Sequence, residues 1–388
     1  MDALRSLFLL RPDVIPLNNG SFGACPQPVM EAYQHWQTEF ERYPDGFVRR
    51  WPELLDAARA PLSDFLGTSA DQLAFVINAT MGVNIVAHSL RGWLREGDQI
   101  LTTDHEYGAC NNTWAYVCSK TGARYIQRHM PLPVTTPEAW VEHFWAGVTP
   151  RTRVVFISHI TSPTALIFPV AEVCRRCREA GILSIVDGAH APGHVALDLE
   201  AIGADFYIGN CHKWMLTPKG SAFLYARREV QHLIEPLIVS HGWQLNVVST
   251  QPLRDYVEQF GTRDLAAFLA VPAAIALMQA HDWPTVRRRC HALARQIRRR
   301  VEAYFDTTSV CDDSDTWFGQ MAAIQLPPHT DLARLGHILR ESYHIEIPLI
   351  QWRGYALARV SVQAYVTEEM LDTLFEALAR HVPECWSR

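Results

Sequence analysis

The chain has no excess of positive charge, no long unbroken apolar segment and no ordered spacing of cysteines, and each lack removes a class of function. A formal net charge of −6 carries neither a basic signature for nucleic acid nor an acidic tail, which leaves a small molecule as the expected partner. The apolar run Leu7–Leu10 is too short for the central region of a signal peptide, so no export is expected. The longest apolar stretch, LAAFLAVPAAIALM from Leu265 to Met278, falls short of the roughly 20 residues of a membrane span and contains Pro272. It reads as a buried helix, with no membrane partner. Nine scattered cysteines, an odd number, make no disulfide framework and suit a reducing cytoplasm. Cys174 and Cys177 have no second pair at zinc-site spacing, and VAEVCRRCREAG reads instead as an amphipathic helix.

What the chain does have is a hydrophobic content of 48% over 388 residues, enough for one large core and a smaller one. From about residue 70 to 225, short β-rich runs alternate with helical patterns, the signature of a parallel sheet with crossover helices. The expected strands are QILTT (99–103), RVVFISHI (153–160), ILSIVD (182–187), DFYIG (205–209) and SAFLY (221–225). Tyr107 to Lys120, Pro137 to Ala146 and Val170 to Ala180 read as helices, with Gly97, Gly122 and Gly181 at helix C-termini. After about residue 260 the pattern becomes a long apolar helix, a basic helix from Thr285 to Tyr304, and strands GQMAAIQL and ALARVSV. A second, smaller α+β domain fits. The arginines of the basic helix read as either a solvated face or a nucleic-acid face, and their helical spacing favours the former.

In open parallel sheets ligands sit beyond the carboxyl ends of the strands. Those ends hold Asp104, His105 and Tyr107, the run Ser158 to Ser162, Asp187 and His190, and Asn210, His212 and Lys213. Lys213 is either a surface charge or an amine held near an electrophile. Asp187 tips the choice. A lysine forms an imine with an aldehyde once its amine is neutral, which desolvation favours, and the apolar DFYIG before Lys213 and Trp214 after it supply that setting. Pyridoxal 5′-phosphate (PLP) uses such a lysine together with a carboxylate on its ring nitrogen. Asp187 would be that carboxylate, or else a turn cap. NATMG (residues 78–82) offers helix-start amides and a hydroxyl to a phosphate, with His212 and Asn210 as further donors. Arg359 in ALARVSVQAY is either an ordinary ion-pair partner or a fork for an α-carboxylate across a domain cleft. The stretch ERYPDGFVRRW (41–51) reads equally as pocket lining or as a linker.

LNNGSFG, NAT, DHEYGA, SHITSPTALIFPV, VDGAHAPGH, GNCHKW, FGTRD and ARVSVQAY follow the order and spacing found in class V aminotransferases, which are fold type I PLP enzymes. The set most resembles the isopenicillin N epimerase-like branch and covers about residues 14 to 367. The resemblance implies Lys213 as the Schiff-base lysine and Asp187 as the pyridine partner. It implies His190 at the ring hydroxyl, with Ser162 standing where many members have asparagine. It implies cofactor contacts from Asn78, Ala79, Thr80, Met81, Asn210 and His212. His105 is the expected stacking ring, and Tyr107 an acid or substrate contact; His159 is a weaker candidate for the acid on the opposite face. Asn19 and Gly20 would line the substrate side and Arg359 would clamp the carboxylate of an amino acid substrate. Thr262 would reach the phosphate in a neighbouring subunit, which implies a homodimer. No metal is implied.

Together the pattern and the resemblance divide the chain into an N-terminal segment (1–20), a large PLP-binding domain (21–260) and a smaller α+β domain (261–388). The expected chemistry is proton removal at Cα by Lys213, ending in epimerisation, transamination or β-elimination as a C–S lyase. A cysteine desulfurase needs a mobile cysteine shortly before the clamp, and the interval from Asp312 to Arg359 has none; Cys311 is the nearest upstream. The alternative from another class is a non-catalytic binding protein that kept the fold.

Overall fold

A computed structural model describes residues 2–386. Its central element is a seven-stranded sheet in the edge-to-edge order Leu73–Val76, Ala222–Ala226, Phe206–Asn210, Leu183–Asp187, Thr152–Ser158, Gln99–Thr103, Arg124–Arg128. All adjacent pairs run parallel except those made by Ala222–Ala226, which is antiparallel to both neighbours. Phe206–Asn210 and Ala222–Ala226 are buried along their whole length, as expected of strands covered by helices on both faces. The five expected strands are present within a residue or two at each end. The edge strands Leu73–Val76 and Arg124–Arg128 were not anticipated; RYIQR has little apolar character because it covers the sheet only at its rim.

Helix Val170–Ala180 shows how sequence becomes packing. Val170, Val173, Cys174 and Cys177 recur at helical spacing and are buried, which puts both cysteines on the inner face. Gly181 ends the helix in the left-handed region (φ 67°), and its amide donates to the carbonyls of Arg178 and Cys177. Gly122 does the same after Gly108–Thr121. Gly97 differs from expectation: its φ of 81° serves a turn before Gln99–Thr103, where no helix ends. The apolar helix is likewise two pieces, Ala266–Leu269 and Val271–Ala280, the second starting with Pro272 in its first turn, where a missing amide costs nothing.

A three-stranded antiparallel sheet places Tyr355–Ser361 between Leu349–Trp352 and Met321–Leu326. The N-terminus joins this part: Ile15–Pro16 pairs with Ile345–Glu346, and the Ser361 amide donates to the Leu17 carbonyl at 2.9 Å. Residues 18–22 are thereby threaded between the small sheet and the edge of the large one. The basic helix spans Trp283–Phe305, and its arginines are not all solvated: Arg298 is buried, lies 4.2 Å from the Phe318 ring centre, and pairs with Asp313 at 3.1 Å. No described helix is long and apolar enough to cross a membrane.

Candidate active site

Register sets the floor of the site. Ser158 and Asp187 are partners across adjacent parallel strands, so both strands end level, and the neighbouring strand closes at Asn210, two residues beyond Ile208, the partner of Asp187. Beyond these ends lies a cavity of about 280 Å³ lined by Ser21, Phe22, Asn78, Ala79, Thr80, Tyr107, Cys110, Ser158, Ile160, Ser162, Asp187, Ala189, His190, Asn210, His212 and Lys213. Tertiary structure thus gathers residues spread over nearly two hundred positions into one hollow.

Asp187 is 4% exposed. Burial pushes its carboxyl above the usual range, against the Ala189 amide at 2.9 Å and the nearby Lys213 charge. Burial likewise lowers Lys213 from 10.5 to about 8, with Asp187 opposing the shift and Arg359 adding to it. The neutral amine is therefore reached far more easily than for an exposed lysine, about half of it being neutral at pH about 8. Lys213 Nζ lies 3.4 Å from His190 Nε2, and the Trp214 indole N–H points at His190 Nδ1 at 3.5 Å. Burial keeps His190 neutral. With Nδ1 accepting from Trp214, its proton sits on Nε2 and faces the lone pair of a neutral Lys213 amine.

The helix Ala79–Ser89 starts at this edge. Asn78 caps it by accepting from the Met81 amide at 2.8 Å, and Asn210 Oδ1 accepts from the Ala79 amide at 2.8 Å. These two side chains consume first-turn amides that an anion would otherwise use, leaving the Thr80 backbone and hydroxyl at the cavity wall. Met81, expected at the cofactor, does not line the cavity; its side chain packs into the adjacent core. His212 contacts the Ser221 carbonyl through Nδ1 at 3.0 Å, and burial lowers it to about 4. It must therefore take up a proton at Nε2 to donate to a phosphate.

His105 corrects the sequence reading. Its ring is fully buried outside the cavity, held by Thr164 Oγ1 at 2.8 Å and the Met130 carbonyl at 3.3 Å, with Trp352 4.3 Å away between ring centres. No face is left for a cofactor. Of the two, Tyr107, half exposed at the rim, is the one that lines the cavity. His159 is also turned inward, 2.7 Å from the Tyr207 hydroxyl. Strand-end counting could not separate His105 from Tyr107, because both follow the same strand.

On the substrate side, Asn19 is a brace, bonded to the Lys213 carbonyl at 3.3 Å and to the Tyr365 hydroxyl at 3.0 Å. Gly20 is required by close approach: a Cβ there would come 2.8 Å from Met321 Sδ. Asn19 and Gly20 therefore present their neighbours Ser21 and Phe22 to the cavity. Arg359 is 4% exposed, and burial lowers its guanidinium to about 10. It donates to the Ser162 carbonyl (2.7 Å), Ser162 Oγ (3.2 Å), Ser21 Oγ (3.0 Å) and Asn18 Oδ1 (3.5 Å). Every partner is neutral, and its buried Nε has none among the described residues. A buried cation without an anion suits a carboxylate ligand.

Thr262 does not join this hollow. It borders a larger cavity, about 500 Å³, with Val48, Trp51, Arg59 and Glu258. Of the stretch 41–51, Val48 and Trp51 line that second cavity, and no residue of it lines the first. Among the lining residues, Ser21, Phe22, Ala189 and Cys110, whose thiol is 3.4 Å from Asp187 Oδ2, escaped the sequence reading; Ser158 was named there only within a strand-end run, and the buried Glu106 just behind it was not named. Glu106 stood legibly between His105 and Tyr107 at a strand end.

The Aminotransferase class-V family model matches residues 23–374, and the chain belongs to that family. An isopenicillin N epimerase of Amycolatopsis lactamdurans is 36% identical over 95% of both chains, and one of Streptomyces clavuligerus 35% identical over 96% of both. A probable chloroplastic L-cysteine desulfhydrase of Arabidopsis thaliana is 28% identical over 95% of this chain and 82% of its own. The fold matches an apo cysteine desulfurase from Thermococcus onnurineus NA1 with a TM-score of 0.84 at 19% identity, covering 99% of this chain and 98% of that one. The cofactor of the family is PLP, and the opposed Lys213 and Asp187 in one cavity fit it.

Proposed function

We propose that this PLP-dependent enzyme moves the Cα proton of an amino acid or amino-acid conjugate in an isopenicillin N epimerase-like reaction. The observation that carries the reading is Lys213, a buried amine with a pKa near 8 that shares its cavity with Asp187 and lies beside an arginine lacking a countercharge. When bound, the cofactor supplies an electron-accepting ring that spreads the charge left at Cα. Asp187 would hold the proton on the ring nitrogen. Thr80, His212 and the helix start would hold the phosphate, and Ser162 with His190 the ring hydroxyl. Arg359 would turn its Nε edge to the substrate carboxylate as Ser21 and Asn18 release it. Lys213, after tethering the cofactor, would take the Cα proton on its own face. Tyr107, with its ring at the rim, would stack on the cofactor and is the candidate acid on the opposite face.

Cys311, the cysteine nearest upstream of Arg359, is not placed for desulfurase chemistry. Cys311 is 2% exposed, its sulfur held by Arg298 at 3.2 Å, and it lies outside the cavity wall. We also infer a homodimer in which Thr262 reaches the partner's cofactor. The reasons are its place outside its own chain's cofactor cavity and the apolar exposure of Val239, Leu245 and Val248 nearby in sequence. A cytoplasmic location suits nine unpaired cysteines. We infer the domain division at residues 20 and 260; in its support, the last strand of the large sheet ends at Ala226 and the first of the small sheet starts at Met321.

The test is holo-protein incubated with an amino acid panel in deuterated water. Inversion with α-deuterium uptake and no keto acid supports epimerisation. Pyruvate with released thiol would make it a C–S lyase, and keto acid an aminotransferase. Lys213→Ala is expected to lose the visible absorption of bound PLP and to slow exchange by about 10²–10⁴-fold. If wild type and Lys213→Ala bind PLP with identical spectra, the tethering role is wrong.

A further inference from the structure

Glu106 is 5% exposed and has no part in the chemistry above. Its two oxygens meet two hydroxyls, Thr103 Oγ1 at 2.6 Å from Oε1 and Ser158 Oγ at 2.6 Å from Oε2, and the Ser158 backbone amide also acts on the carboxyl. Among the described residues no basic group pairs with it, and Asp187 is the charged group whose field it feels most. Across the same space lie Cys110 and Tyr125, which also feel Glu106, while Lys213 acts on Asp187. Two carboxyls share this floor with a single lysine. One of the two must stay protonated for the other to serve as an ion.

The hydrogen-bond pattern says where that proton would sit. Thr103 Oγ1 accepts from the His105 amide at 3.2 Å and donates its own hydrogen to Glu106 Oε1. A carboxyl proton would then sit on Oε2 and reverse the 2.6 Å contact in which Ser158 Oγ donates to the ionised carboxylate. Ser158 then no longer needs to spend its hydrogen on Glu106. Its hydroxyl lines the cavity, level with Asp187, and is free to donate inward. If Glu106 ionises, the Ser158 hydrogen must turn back to the carboxylate, and only a lone pair faces the cavity.

We infer that Glu106 is a positioning residue whose proton sets Ser158 as a hydrogen-bond donor toward the cofactor, so that losing this proton reverses the hydroxyl. Burial raises Glu106 to about 8, which puts the reversal within reach of ordinary working pH. The inference rests on the PLP reading above and adds a pH-dependent contact to it.

The experiment uses PLP-loaded wild type, Glu106→Gln, Ser158→Ala and the double variant, with absorbance spectra and PLP affinity measured from pH 6 to 9.5. Glutamine keeps an oxygen for Thr103 and an N–H for Ser158 but cannot ionise. Wild type is expected to weaken its PLP affinity by several-fold and shift its visible band as pH rises through about 8. Glu106→Gln should hold the low-pH spectrum and affinity across the range. Ser158→Ala should bind PLP about tenfold more weakly at low pH and lose the Glu106-dependent step, and the double variant should match it. A second readout needs no cofactor. Because folding raises the Glu106 pKa, its contribution to apo-protein stability is full below the ordinary carboxyl range and falls as pH rises to about 8; Glu106→Gln should remove that fall. If Glu106→Gln and wild type show the same pH dependence of spectrum and affinity, the inference is overturned while the PLP reading stands. If wild type fails to bind PLP, both fall.

Discussion

Two buried arginines lie beside the two cavities, and their partners differ. Arg59 is 1% exposed and grips Glu258 through Nη2 at 2.8 and 2.7 Å, with Asp56 on its other nitrogen. Burial alone would lower its pKa; Glu258 and Asp56 together hold it raised. Arg359 is equally buried and has only carbonyl and hydroxyl or amide oxygens around it, and burial lowers it to about 10. Both leave Nε without a partner, so countercharge is what separates them. An ion whose charge is matched within the chain belongs to the fold. One matched only by neutral dipoles is left ready for an anion, which is the reason the smaller cavity rather than the larger one is proposed as the chemical site.

The comparison breaks most visibly at Glu258. Glu258→Ala leaves Arg59 and the Phe75 amide, which donates to Glu258 at 2.7 Å, without their acceptor. A loss of about 3–5 kcal/mol is expected in urea unfolding, with turnover per folded molecule little changed. Arg359→Met should show the reverse: stability within about 1 kcal/mol of wild type, and kcat/KM for amino acids lower by about 100-fold. Equal stability losses in the two variants would erase the distinction.

Lys213 extends the comparison to pH. Folding lowers its pKa from 10.5 to about 8, so between these values the unfolded chain binds more protons than the folded one. Apo-protein stability from this group therefore rises as pH increases through that window, and Lys213→Met should flatten the rise in a Tm-against-pH series. Asn78 gives the smallest effect. Its oxygen is already spent on the Met81 amide, so Asn78→Ala should cost about 1 kcal/mol of stability, read from the denaturation midpoint, and weaken PLP binding only modestly.

The strands of the large sheet and helix Val170–Ala180 were legible because periodicity and burial coincide in them. Arg124–Arg128 was not, since an edge strand with a polar sequence owes its state to the neighbour Gln99–Thr103. At the site, Lys213 and Asp187 were legible from residue type and position at a strand end. His105 and Tyr107 were not separable that way. The choice between them depended on Thr164, Met130 and Trp352, which lie far away in the chain and bury the histidine. Glu106 was overlooked for the same reason, because a carboxyl becomes informative only when its neighbours prove to be hydroxyls without a cation.

By itself the sequence determined the alternation of strands and helices, the family, and the amine and carboxylate that PLP needs. These depend on local pattern and on residue identity, which the chain carries position by position. Tertiary structure alone decided which aromatic ring faces the cavity, which buried arginine lacks an anion, and which carboxyl must keep its proton. Each of those outcomes is a matter of desolvation and countercharge, and both are set by groups that come together only when distant segments pack.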